Sequence, residues 1–345
     1  MAIITEETII DDSGVQQVAH PQTESAAITD ATSLSRQIIQ ASDGATILTK
    51  LGASTFMQDV LKQAAAGDVL SKLGVSAFVK AIFDDADANT ILNSIMPKSA
   101  AAHNSVYRGK DLTSAFNNGT LSKAIAAGTF DDIFPGDYIT KSVTVDGTTY
   151  SNVKWIIADL DYHLHRGDAE TTAHHALVIP ENNIGTSYMN STNTTVGGYQ
   201  GSYMWGTTIP KYVTGIQAAF GSDHVLKHRE RLTKLIDANA TAGSGGMDAG
   251  ATVHTSGEWV DVTVNIPNEA MMFGHAPFAS SGRDTYDCNK QLAAFRYGQN
   301  FTRATWCWLR DVASAIHFAG AGYVGGADYG SASYVRGVRP YFLLR

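Results

Sequence analysis

Cysteine is nearly absent: the 345-residue chain has only Cys288 and Cys307, far apart and without metal-ligand spacing. That excludes a disulfide framework and a thiolate metal centre, and it fits assembly in a reducing cytoplasm. Cys307 stands between Trp306 and Trp308 in a run of strand composition, where a buried free thiol is expected. Basic runs are equally scarce. None exceeds His228-Arg229-Glu230-Arg231, which an acid interrupts, and the formal net charge is -8, so no nucleic-acid partner is expected. No apolar run approaches the ~20 residues of a membrane helix, and the first residues lack a basic region followed by an apolar core. Neither membrane insertion nor a signal peptide is expected. Missing too are a Walker loop, His-Glu-x-x-His and Gly-x-Ser-x-Gly, the usual marks of nucleotide binding, zinc proteolysis and serine hydrolysis.

The apolar content of 44% is ample for a core. Three segments differ in composition. Residues 1–45 are rich in Ser, Thr, Ala, Gln and Asp and have no aromatics, which predicts an extended arm held in place by other chains. Residues 46–102 carry a repeat: Ile47, Leu48, Lys50, Leu51, Gly52, Ser54 and Phe56 return twenty-two residues later as Val69, Leu70, Lys72, Leu73, Gly74, Ser76 and Phe78. Gly52 and Gly74 read as left-handed helix ends, and Ser54 and Ser76 as caps of the next helix. Units this short cannot bury their own apolar stripe, so they stack on neighbours or on other chains, and a homotrimeric neck is the natural arrangement. Residues 103–345 mix strand and helix signals and predict an α+β domain. Tyr138 to Ile157 alternate around an Asp146-Gly147 hairpin turn, Lys211–Ala219 and His224–Ala238 read as helices, Gly243–Gly250 as a loop, and Trp259–Ile266 as a strand.

Candidate chemistry is sparse. Asp159, Asp161, His163 and His165 fall on alternate positions, so on a strand all four share one face, a donor set suited to a divalent transition ion. The alternative is a polar strand face paired with Arg166, His174 or His175, and no cofactor is required. One of His174 and His175 is expected to face inward on a hydrogen bond. His224 and His228 are four apart without the zinc-protease letters around them. A triad drawn from Ser280, His275 and Asp284 has no supporting motif, so no catalytic residues are assigned.

The final forty residues hold the densest aromatic pattern. Trp306–Asp311 and Gly337–Arg345 read as two paired core strands flanking a loop of Gly320, Gly322, Gly325, Gly326 and Gly330 interleaved with Tyr323, Tyr329 and Tyr334. His317 and those tyrosines are the contact candidates, amphipathic groups suited to stacking on sugars. Arg310, Asp311, Arg336 and Arg339 are expected to pair across the loop base.

Trp306–Asp311 followed by Gly337-Val338-Arg339-Pro340 resembles the closing half of the C-type-lectin-like domains at the ends of phage and prophage virion proteins. The resemblance extends back through Tyr107–Lys110, Ala127–Asp132, Gly136–Tyr138, His174–Pro180, Met189–Asn193 and His224–Glu230, and so covers residues 103–345. It implies a C-type-lectin-like fold that recognises its ligand through the variable loop near Ala313–Tyr334. The leucine-glycine-small repeats, ending in Asp-Asp-Ala-Asp-Ala, look like those in phage fibre shafts. His163-Leu164-His165 resembles the His-x-His element with which some trimeric phage fibres gather imidazoles around iron. Together these imply a receptor-binding fibre protein of tail or head: the arm docks on other virion proteins, the neck trimerises, and the last domain attaches to a host-surface glycan or protein. An architectural head-fibre or capsid decoration protein is the alternative, and an enzyme degrading surface polysaccharide a more distant one.

Overall fold

The structure is a computed structural model that describes residues 7–10, 16–19, 33–63, 65–84, 87–236, 255–278, 288–297 and 306–345. It divides into two compact units, Met1–Ile95 and Met96–Arg345, and its mixture of helices and mainly antiparallel strands is α+β. The Gly243–Gly250 loop, Ser280, Asp284 and, within the Asp84–Ala88 motif, Asp85 and Ala86 lie outside the described residues.

In the first unit β1 (Glu7–Ile10) pairs antiparallel with β2 (Gln16–Ala19), and α1 (Ser33–Ile39) follows. The described part of residues 1–45 therefore holds local structure and is not extended throughout. The repeats form α2 (Gly44–Lys50), α3 (Thr55–Leu61), α4 (Ala66–Lys72), α5 (Ala77–Asp84) and α6 (Ala88–Ile95). Gly52 and Gly74 sit at φ +78° and +76° and end α2 and α4. Ser54 Oγ then accepts from Met57 N at 3.2 Å, and Ser76 Oγ from Val79 N at 3.3 Å, restarting the helix. Among the described residues, α2, α3 and α6 contain no buried residue. Leu51, Phe56, Met57 and Leu61 are exposed, and so are Leu73, Phe78, Val79 and Phe83, each twenty-two residues further on.

The second unit begins with α7 (Ala100–His103), α8 (Thr113–Asn117) and α9 (Thr120–Ala126), then β3 (Tyr138–Val145), β4 (Thr148–Leu160), β5 (Ala176–Pro180), β6 (Thr186–Ser187) and α10 (Ile209–Phe220). There follow β7 (Val225–Leu226), β8 (His228–Ile236), β9 (Thr255–Val262), β10 (Val264–Asn265), α11 (Glu269–Phe273) and α12 (Ala293–Arg296). The chain closes with β11 (Cys307–Val312), β12 (His317–Ala321), β13 (Ala327–Ser331), β14 (Arg336–Gly337) and β15 (Tyr341–Leu344). Asp146 and Gly147 both take positive φ, the turn geometry that matches the twist of β3 and β4.

The central sheet has the order β10-β15-β5-β4-β3, with β7 also on β15; a second runs β13-β12-β11-β14-β6; and β8 pairs with β9. Successive residues of the central strands feed different cores. Trp155, Ile157, Val178 and Phe342 pack with Ile216 and Phe220 of α10, whereas Ile156, Leu177, Ile179 and Leu343 pack with Leu292 and Phe295. Burial on both faces is why β5 and β15 are apolar at every position. Helix α10 lies close on β3 because residue 215 is glycine; a Cβ there would collide with the Thr144 carbonyl.

Two expected elements differ. The expected helix His224–Ala238 is not one over its described part from residue 225 to 236: Val225–Leu226 and His228–Ile236 are strands, and burial alternates from His228 through Leu232 with a period of two. The two terminal aromatic runs pair with each other only at their starts, where Cys307 lies parallel to Gly337. β11 pairs with β12 and, parallel, with β14, while β15 belongs to the central sheet. Much of the glycine-rich stretch between them is therefore strand.

Candidate recognition surface and its buried support

Strands β12 and β13 form a hairpin whose turn is closed by Gly322 N donating to Gly326 O at 2.8 Å, with Gly325 at φ +80°. At its tip Tyr323 is 73% and Val324 88% exposed. A second turn, with Tyr334 N donating to Ser331 O, presents Tyr334 and Val335, 56% and 63% exposed. Tyr329 and His317 differ. Both lie half-buried on the strands, their rings 5.1 Å apart and edge-on, with Phe278 against Tyr329 and Ser314 Oγ 2.8 Å from His317 Nδ1. Of the four contact candidates, two are displayed and two hold the hairpin.

Of the four groups expected at the loop base, only Arg336 is there. Its guanidinium lies between the rings of Trp306 and Trp308, 4.6 and 4.9 Å from their centres. Nη2 donates to Tyr329 O at 2.9 Å, and Nη1 is 3.0 Å from Asp328 Oδ2. This explains Gly320 and Gly330: a Cβ at either would stand 2.6 Å from a guanidinium nitrogen. Arg310, Asp311 and Arg339 are core residues. Arg339 Nε donates to Pro180 O at 2.9 Å, and burial pushes its pKa down to about 10. Asp311 accepts from Glu269 N at 2.6 Å.

Arg310 belongs to a buried network centred on Glu230. The carboxylate accepts from Arg310 Nη1, from Tyr341 Oη at 2.5 Å, from His228 Nε2 at 2.6 Å and from Asn265 Nδ2 at 3.1 Å. Tyr199 Oη extends it, donating to Asn265 Oδ1 at 2.9 Å. Burial would raise the Glu230 pKa, but Arg310 and His228 overcome it and hold the carboxyl well below its usual range. Burial, together with Glu230, pushes the Tyr341 phenol well above its own. Through these contacts β8, β10, β11 and β15 are tied to one charge, so the sheet that carries the hairpin is pinned to the other two.

The expected Asp159, Asp161, His163, His165 set does not converge, because β4 ends at Leu160 and the chain turns, with Asp161 and His165 at positive φ. Asp159 is buried on Ala293 N at 2.9 Å, and Asp161 holds His174 Nδ1 at 2.7 Å. His165 is exposed beside Glu170. His175 is the inward-facing imidazole, receiving His163 N–H at 3.0 Å, and burial brings its pKa down to about 4. His163 alone reaches the network. It is buried against His228 with ring centres 4.4 Å apart, burial holds its pKa well below the usual range, and neither ring nitrogen has a hydrogen-bond partner among the described residues. His163, His228 and Glu230 each offer one ligand atom, all within 4.8 Å of one another. As a metal site the set is crowded: Glu230 already accepts four donors, and the Arg310 cation occupies the charge position a divalent ion would take.

The sequence reading missed a cleft of about 450 Å³ between the β3–β4 hairpin, β6 and the start of α10. Tyr150, Tyr188, Tyr203 and Tyr212 line it, and it borders Val335 of the displayed turn. Nothing local marks these tyrosines, which come from four separate segments. No family model, no curated protein and no solved structure matches the chain.

Proposed function

We infer that this chain is a virion fibre protein of a tailed phage whose C-terminal unit attaches the particle to a host-surface glycan or protein. The observation that carries the reading is the exposure of Tyr323, Val324, Tyr334 and Val335 on two turns of a sheet braced by Arg336 and by the Glu230 network. Large amphipathic side chains held out on a stiff frame lose little entropy on binding. For the second unit we adopt a C-type-lectin-like fold. The return of β15 to the central sheet, while a separate sheet bears the displayed turns, supports it. Residues 46–102 are a trimerising neck, supported by apolar side chains exposed in register at the repeat distance. Three weak sites on one stalk then add through effective concentration.

The test is adsorption of particles carrying Tyr323→Ala and Tyr334→Ala. Truncating two hot-spot tyrosines lowers adsorption by about thirtyfold with assembly unchanged. Undiminished adsorption rejects the reading, and loss of particle assembly assigns the chain to capsid architecture instead.

A further inference from the structure

We propose that the tyrosine-lined cleft is a subsite for one neutral sugar ring of the host-surface ligand; this rests on the attachment reading above. Its floor is prebuilt. Tyr212 is buried with its hydroxyl donating to Ile184 O, and Gly185 at φ +78° leaves the floor open. A Cβ at Gly185 would stand 2.7 Å from Tyr150 Oη and 3.1 Å from Tyr212 Oη, so any side chain there would fill the cleft. At the rim the rings of Tyr188 and Tyr203 lie 4.7 Å apart, tilted by 40°.

The backbone beside the cleft is specialised. Residues Met204–Thr208 form a π-helical turn, closed by Ile209 N donating to Met204 O. In such a turn residues five apart share a face, which an α-helix does not allow, and π-turns recur at functional sites. Tyr203 and Thr208 are five apart, and both line the cleft. Thr208 Oγ1 is 3.0 Å from Ser187 Oγ, which itself donates to Tyr188 O at 3.1 Å, so both hydrogens are used and the oxygens keep lone pairs to accept from a ligand.

The chemistry selects the ligand class. The charged groups lining the cleft are Lys211 and Asp146, ion-paired at 2.6 Å, so the site carries no net charge and gives no preference to phosphate or carboxylate. A purely apolar ligand would cover the open lone pairs of Ser187 and Thr208 and the second oxygen of Asp146 and offer them no donor. A pyranose satisfies both sets, its C–H face on the tyrosine rings and its hydroxyls on Ser187, Thr208 and Asp146. The volume falls within the range of small-molecule sites.

The experiment is saturation-transfer NMR on the full chain with methyl glycosides of glucose, galactose, mannose and N-acetylglucosamine, with sialic acid as the charged control. We expect at least one neutral glycoside to bind in the millimolar range and sialic acid not to. Tyr203→Ala weakens that binding about tenfold or more, and Tyr203→Phe retains it. Gly185→Ala, which fills the floor, abolishes it while the thermal midpoint confirms a folded chain. Absence of neutral-sugar binding, or equal binding to Tyr203→Ala, overturns the proposal. Adsorption separates it from the reading beneath: dependence on Tyr323 and Tyr334 without sugar binding leaves attachment standing and removes the subsite. Loss of neither adsorption nor sugar signal in any variant removes both.

Discussion

Replacing Glu230 with Gln tests whether one buried carboxylate holds three sheets together. Glu230 and Arg310 are both fully buried, and the carboxylate accepts four donors. Glutamine keeps the volume but offers one acceptor oxygen, and its NH2 meets donors that need an acceptor. Arg310 is left as an uncompensated buried cation, a loss of about 3–5 kcal/mol. Against a total of roughly 5–15 kcal/mol for a domain this is readable in urea unfolding followed by tryptophan fluorescence. Arg310→Met alone strands the anion and should cost a similar amount. The combination Glu230→Gln with Arg310→Met removes both charges and should cost well under the sum, with a coupling of about 2 kcal/mol or more. Additive losses would refute the reasoning, since two residues that do not share one network cannot relieve each other.

Acid should destabilise the second unit before its carboxylates titrate. His163 and His175 are buried uncharged, and burial depresses both, His175 from 6.5 to about 4. The unfolded chain takes up these protons as pH falls through about 6.5 and the folded chain does not, so the stability is whole above that point and is lost on the way down. His175 alone forfeits about 2 kcal/mol by pH 5 at 1.36 kcal/mol per unit, and a flat urea midpoint between pH 7.5 and 5 would contradict the assignment. In the first unit, Phe56→Ser with Phe78→Ser removes equivalent exposed rings from the repeats. The expected result in light scattering is a shift of the full chain from trimer to monomer; a trimer that survives, or a wild-type monomer, removes the neck.

What the sequence disclosed was local chemistry. The Gly52 and Gly74 ends, the Ser54 and Ser76 caps and the Asp146-Gly147 turn each depend on a few adjacent residues, and each stands where its letters put it. Residues 224–238 misled because alternating polar and apolar letters satisfy a helical count over a short window. The deciding fact was burial of His228, Glu230 and Leu232 on one strand face, which only the fold reveals. The metal-like quartet failed for a related reason. Alternation puts side chains on one face only while the strand continues, and β4 stops at Leu160, inside the motif. The network that does form gathers Glu230, Asn265, Arg310 and Tyr341 from four strands, a juxtaposition no spacing encodes.

Arg336 shows how a glycine-rich reading can be right in composition and wrong in cause. Glycines usually signal a loop because they tolerate positive φ, and at Gly325 that is their role. Gly320 and Gly330 are strand residues instead, and what they supply is the missing Cβ over which a guanidinium can lie. With its face on two tryptophans and its edge on Tyr329 O and Asp328, Arg336 makes the hairpin stiff where the letters suggested slack. Stiffness beneath Tyr323 and Tyr334 lowers the ordering cost of any contact these side chains make.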